Sequence, residues 1–167
     1  MNKEYKKLSV AFTGPSNSGK TTLVIKIASI LQAMGNKVVI IKHDPKDKAS
    51  FDKEGKDSFK FFQTGADVAV ISPRRTTIFR QNSLDMDSLT KAFGDFDYML
   101  VEGLKTLPLP RIAVMRKRID EKYFDVTDVI ASDDSIDKTA LPKGMLVFDL
   151  NNPDSLIPWI EQNAKKV

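Results

Sequence analysis

The chain runs from an apolar stretch, Leu8–Thr13, directly into Gly14-Pro15-Ser16-Asn17-Ser18-Gly19-Lys20-Thr21, and no other feature restricts its fold as much. The segment satisfies G-x-x-x-x-G-K-[ST] in full, the pattern of a P-loop. A strand must end in a loop whose backbone N–H groups wrap a phosphate, and β-carbons at Gly14 and Gly19 are expected to obstruct that approach. The helix that follows presents unsatisfied N–H groups and partial positive charge to the same anion. Ser16, Asn17, Ser18, Gly19, Lys20, Thr21 and Thr22 are therefore the candidate phosphate-binding residues, together with Gly14. Lys20 can reach the β- and γ-phosphates, the Thr21 hydroxyl suits Mg²⁺, and Thr22 suits an α-phosphate oxygen. Pro15 has no N–H to donate.

From Lys20 to Met34 the apolar residues Leu23, Ile27, Ile30, Leu31 and Met34 fall at helical spacing, and Gly35 stands where a glycine ends a helix. Val38–Ile41 is a β-branched run expected to be a strand buried on both faces. Residues 44–56 are polar and aperiodic and are expected to form a mobile loop. Further elements are expected as a helix over 57–64, strands over 68–72 and 76–80 around Pro73-Arg74-Arg75, and a helix over 84–93. Strands follow over 98–101, 112–115, 129–131 and 145–150, and Pro153 begins a last helix. Such alternation predicts an α/β three-layer P-loop NTPase fold, a mainly parallel twisted sheet with helices on both faces. No linker divides the chain, so residues 1–167 are expected to form a single nucleotide-binding domain.

In folds of this kind ligands lie at the carboxyl ends of the strands. Glu102-Gly103 follows one strand and His43-Asp44 another, so both are expected on the rim that carries the loop. Glu102 is the expected Mg²⁺ acid, and Asp97, which precedes the same strand, sits at the wrong end. Asp44 can reach Mg²⁺ through water, and His43 can contact phosphate or substrate. Arg74, Arg75, Arg80, Arg111, Arg116 and Arg118 read as a solvated charged face, with a second polyanion site as the alternative. Phe59, Phe61 and Phe62 read as core, and Trp159 as packing.

The net charge of +4 comes from 26 basic and 22 acidic residues scattered along the chain, without the clustered basic stripe of a nucleic-acid binder. Cysteine is absent, which excludes disulfides and thiolate metal sites. No apolar run reaches the roughly 18–20 residues of a membrane span, and no secretory h-region follows the charged start. A cytoplasmic protein is expected, with neither membrane nor nucleic acid as partner.

Gly14–Leu23 followed by Val39-Ile40-Ile41-Lys42-His43 resembles the molybdopterin-guanine dinucleotide biosynthesis protein B (MobB) family. Phe51–Ser58 matches its Asp-x-x-Gly-Lys-Asp-Ser motif, and Val101-Glu102-Gly103-Leu104-Lys105 its Glu-Gly-x-Lys motif. Thr64-Gly65-Ala66-Asp67 with Ser72-Pro73-Arg74, and later Ile130-Ala131-Ser132-Asp133, are similar to further family segments. The resemblance implies a GTP-binding, homodimeric accessory protein with at most weak Mg²⁺-dependent GTPase activity. It would assist the enzyme that attaches GMP to molybdopterin, with molybdopterin and molybdoenzyme apoproteins as further candidate partners. Carried over by position, Lys56, Asp57 and Lys105 line a phosphate or pterin rim with His43. Family members often carry more histidines where this chain has Asp44-Pro45-Lys46.

The residues themselves leave GTP and ATP open, because an Asn-Lys-x-Asp guanine signature is absent. Guanine is implied by the resemblance, with Ser132 and Asp133 as candidate base contacts. No arginine can be assigned to hydrolysis, and the catalytic residue stays open. The alternative reading is a P-loop small-molecule kinase using ATP.

Overall fold

The computed structural model describes residues 4–167 and resolves them into two compact units. The first comprises the chain up to His43 and from Phe93 onward, and the second is Asp44–Ala92.

The first unit is built on a seven-stranded sheet. Its strands are β1 (Leu8–Thr13), β2 (Val38–Lys42), β5 (Tyr98–Glu102), β6 (Arg111–Met115), β7 (Val129–Ser132), β8 (Leu146–Asp149) and β9 (Lys165–Lys166). They lie in the order β2-β5-β1-β6-β7-β8, all parallel, with β9 antiparallel on the start of β1. The register pairs Phe12 and Lys42 with Glu102, so the ends of β1, β2 and β5 meet on one rim. This is the expected mainly parallel P-loop architecture.

Helix α1 (Lys20–Ala33) follows β1 and turns Leu23, Val24, Ile27, Ala28 and Leu31 inward. Its end is set by Gly35, whose φ of 82° is open to glycine without a steric penalty. The Gly35 N–H donates to the Gln32 carbonyl and the Asn36 N–H to the Leu31 carbonyl, which satisfies the last turn as a Schellman motif. The inward face of α1 and Leu156, Ile157 and Ile160 near the C-terminus pack on Val10, Phe12, Leu100 and Val114 of the sheet. Burying each large aliphatic side chain contributes about 1.5–3 kcal/mol. The opposite face carries Met115 and Ile130, covered by Tyr123, Ile136 and Leu141. Trp159 packs partly buried against the first cluster, as read from sequence.

At the amino end of β5, Asp97 is fully buried. Its carboxylate accepts the Lys37 N–H at 2.7 Å and the Lys6 N–H at 3.4 Å, which fixes the start of β2 and the N-terminal segment.

The second unit holds α2 (Asp57–Gln63), the antiparallel ribbon β3 (Val68–Ile71) and β4 (Thr76–Phe79), and most of α3 (Met86–Phe93). The Ser72 N–H donates to the Arg75 carbonyl and closes the ribbon turn. Phe62 packs on Phe79 with ring centroids 6.2 Å apart.

Several elements differ from the sequence reading. The β2 run is an edge strand, paired among the described residues with β5 alone, and Ile40 is 45% exposed. Phe61, grouped with Phe59 and Phe62 as core, is 59% exposed because a seven-residue helix beside two strands cannot enclose all three rings. Helix α3 starts at Met86, where Asp85 accepts the Ser88 N–H, and not at Leu84. The last helix begins as a 3-10 turn over Pro153–Leu156 before α4 (Ile157–Asn163). Among the described residues no helix is long and apolar enough to cross a membrane.

Candidate functional site

The Gly14–Gly19 loop leaves β1 under backbone constraint. Gly14 has φ 136°, and a β-carbon there would lie 2.3 Å from the Val114 carbonyl oxygen. The glycine is therefore required by the passage of the loop across β6, as well as by any ligand. Gly19 differs: its β-carbon would meet only a Leu150 methyl at 3.8 Å, so space is not its constraint, but its φ of 94° is. Asn17, at φ 61°, is a further left-handed residue in the loop.

Two features of the loop suit an anion. Helix α1 has no side-chain cap and no acidic residue in its first turn, which leaves its N-terminal N–H groups without a cap. The Ser18 hydroxyl is buried and has no hydrogen-bond partner among the described residues. A buried, unpartnered hydroxyl is costly unless a ligand meets it. The Lys20 ammonium donates to the Pro15 carbonyl at 2.6 Å, folded over the loop. Burial lowers its pKa below the usual 10.5, Glu102 opposes that shift, and Lys105 and Lys42 add to it.

The loop forms one wall of a cleft of about 540 Å³ lined also by Lys42, Glu102 and Arg116. The Thr21 hydroxyl donates to the two Glu102 carboxylate oxygens at 3.0 and 3.2 Å. Lys20, Lys42 and Arg116 against the single carboxylate of Glu102 leave the lining cationic, which suits a polyanion with one bound cation. A hydroxyl and a carboxylate side by side are the hard oxygen donors that such a cation takes. No cluster of three or more metal-ligating side chains occurs among the described residues, so a cation here would keep much of its shell from water or phosphate.

His43 lies on the same rim. Its N–H donates to the Glu102 carbonyl at 2.9 Å, and a β-carbon at Gly103 would lie 2.9 Å from the His43 Cβ. Lys105 does not line the cleft; its ammonium sits 3.7 Å from the centroid of the Tyr123 ring. Burial and then Lys122 lower the pKa of Lys105.

Ser132 ends β7 and is buried, and its hydroxyl has no hydrogen-bond partner among the described residues. Both carboxylate oxygens of Asp133 beside it accept hydrogen bonds. One oxygen accepts the Arg116 Nε–H at 2.8 Å, and the other accepts the Ser135 N–H at 3.1 Å and the Ser135 hydroxyl. These bonds, Ser135 first, hold the Asp133 carboxyl below its usual 3.8.

Asp44, Lys56 and Asp57 belong to the second unit. The Asp44 carboxylate accepts the backbone N–H groups of Lys46, Lys48 and Ala49 at 3.3, 2.6 and 2.6 Å. Lys56 stands at the N-cap position of α2 without a side-chain capping bond, and Asp57, in the first turn, pairs with Lys60 at 3.5 Å.

Arg111 overturns its assignment to a solvated face: it is 1% exposed. Its guanidinium donates to the carbonyls of Gly103, Leu104 and Leu107 at 3.0, 3.1 and 2.9 Å. It thus clamps the turn after Glu102, in which Leu104 takes φ 47°. Sequence reasoning also passed over Lys42, although its place at the carboxyl end of a strand was a usable signal. Arg116 stood only among the general cations.

The family model described as "Molybdopterin guanine dinucleotide synthesis protein B" matches residues 9–133. A putative molybdopterin-guanine dinucleotide biosynthesis adapter protein from Methanocaldococcus jannaschii is 29% identical over 93% of the chain and 61% of its own length. The chain thus spans less than two thirds of that relative. The adapter protein of that name from Haemophilus influenzae is 31% identical over 72% of the chain and 70% of its own length. The Escherichia coli adapter protein is 26% identical over 94% of the chain and 93% of its own length. A solved molybdopterin-guanine biosynthesis protein B superposes with a TM-score of 0.73 at 25% identity, covering 93% of this chain and 99% of that one.

Proposed function

The chain belongs to the molybdopterin guanine dinucleotide synthesis protein B family, and from that membership and the cleft we propose that it binds GTP with Mg²⁺ as an adapter in the conversion of molybdopterin to its guanine dinucleotide. The observation that carries the nucleotide reading is the Thr21–Glu102 pair at 3.0 Å beside Lys20. Those two side chains would hold Mg²⁺, and the metal would offset phosphate charge there. The loop N–H groups and Lys20 would hold the triphosphate itself. Asp44 as a further metal contact, and His43, Lys56, Asp57 and Lys105 as a phosphate or pterin rim, remain part of this proposal. Ser132 and Asp133 belong to the base end.

The proposed partners are the enzyme that attaches GMP to molybdopterin, molybdopterin itself, molybdoenzyme apoproteins and a second copy of this chain, in the cytoplasm. The ribbon supports self-association. Ala69, Ile71, Thr76 and Ile78 share one of its faces, and Ile71 and Ile78 are 80% and 65% exposed. The α2 contact through Phe62 and Phe79 leaves this apolar face for a partner to cover. Residues 1–167 would act as one nucleotide-binding domain, with 44–56 its mobile loop. GTP turnover by the isolated chain is proposed to be slow, since no arginine is assigned to hydrolysis and a partner would have to complete the site.

Reconstitution tests the adapter role. Purified chain added with GTP to the enzyme that joins GMP to molybdopterin should raise the yield of guanine dinucleotide. An unchanged yield, or fast GTP hydrolysis by the chain alone, contradicts it.

A further inference from the structure

A second cleft, of about 220 Å³, adjoins the phosphate cleft and shares Gly19, Thr22 and Arg116 with it. Its remaining walls are Leu23 and Lys26 of α1, and Leu150 and Asn151 after β8. The wall after β8 is fixed by backbone: the Leu150 N–H donates to the Ser132 carbonyl at 2.9 Å, and the Asn151 N–H to the Asp149 carboxylate at 2.8 Å. A nucleoside whose phosphates lie on the loop has this neighbouring space for its base, with the Leu150 side chain as an apolar contact.

Arg116 stands at the junction. Its Nε–H is committed to Asp133 at 2.8 Å, which orients the guanidinium, while its terminal amino groups have no hydrogen-bond partner among the described residues. Both Asp133 oxygens already accept hydrogen bonds, one from Arg116 and the other from Ser135. An acceptor-only carboxylate that is already engaged is a poor reader of a base, whereas a guanidinium fork with free donors is a good one. Guanine offers two adjacent acceptors, O6 and N7. Adenine replaces O6 with an amino group, which would set N–H against N–H.

We propose that Arg116, held by Asp133, is the specificity-determining residue that reads the O6/N7 edge of guanine in the cleft bounded by Leu150 and Asn151. Asp133 is then a positioning residue. This rests on the reading that the Gly14–Thr22 loop binds a nucleoside triphosphate.

The test is calorimetric titration of GTP, ITP and ATP, each with Mg²⁺, into the full chain and into Arg116→Gln, Arg116→Lys and Asp133→Asn. Inosine keeps O6 and N7 and lacks the 2-amino group. The unaltered chain should bind GTP and ITP alike, and both at least ~10-fold tighter than ATP, the scale of one bidentate base contact. Arg116→Gln and Arg116→Lys should collapse the GTP-to-ATP ratio to within about 3-fold, and Asp133→Asn should reduce it in the same direction. Three results overturn the inference while leaving nucleotide binding intact. They are equal binding of GTP and ATP, ITP as weak as ATP, or an Arg116 variant that weakens GTP and ATP equally. Failure of the unaltered chain to bind any of the three would instead remove the nucleotide reading and this inference with it.

Discussion

The Thr21 hydroxyl, in the first turn of α1, donates to the Glu102 carboxylate at the end of β5 at 3.0 Å. A helix start and a strand end 81 positions apart in sequence are thereby joined at the mouth of the cationic cleft. A cation placed there would exchange this bond for two oxygen ligands.

Glu102→Gln should therefore abolish most of the gain in GTP affinity that Mg²⁺ provides, with little change in EDTA. Contacts to charged groups contribute about 1.5–3 kcal/mol, so the magnesium-dependent factor should fall about 10-fold or more. Titration with and without Mg²⁺ checks this, and Thr21→Ala combined with Glu102→Gln should be less than additive.

The two loop glycines should respond differently to alanine. Gly14→Ala forces a β-carbon to 2.3 Å from a backbone oxygen that cannot rotate away, and should cost roughly 3 kcal/mol or more. Gly19→Ala meets only ordinary contact and should cost about 1–2 kcal/mol for its left-handed φ. Urea midpoints of the two variants decide the order.

Arg111→Met should destabilise the chain by about 3–5 kcal/mol, since it leaves three carbonyls of the 103–107 turn without their donor. Chemical denaturation should record the loss. Hydrogen exchange should show faster exchange in the turn that carries Leu104.

Acid should erase the contribution of Asp133. Its carboxyl titrates below the usual 3.8 in the folded chain, through Ser135 and then Arg116. An acid whose folded pKa is depressed stabilises above the unfolded value, and that stabilisation is lost as pH falls through the folded one. The stability gap between the unaltered chain and Asp133→Asn should thus be constant near neutrality and close below pH 3.8. A gap that widens in acid would contradict the assignment.

Much of this was legible in the sequence for local reasons. β1 and α1 follow from a contiguous apolar run, a helical period and Gly35, all of which act within a few residues. Glu102 was legible because its place at the end of an apolar strand fixes its end of the sheet. What was not legible depends on distant neighbours. The exposure of Ile40 follows from β2 lying at the sheet edge, which composition does not encode. Lys165 and Lys166 form β9 by backbone pairing with β1, without an apolar signal. Arg111 and Arg116 carry the same side chain five positions apart, yet one is sealed under the 103–107 turn and the other stands at the junction of two clefts.

Binding of a triphosphate by the Gly14–Thr22 loop is tested most directly by titrating GTP with Mg²⁺ into the unaltered chain and into Lys20→Ala. The ammonium of Lys20 is folded over that loop, at 2.6 Å from the Pro15 carbonyl. Its removal should weaken GTP by about 10- to 100-fold, the scale of one hydrogen-bonded charge, without lowering the unfolding midpoint. Equal affinity in the two proteins would contradict it.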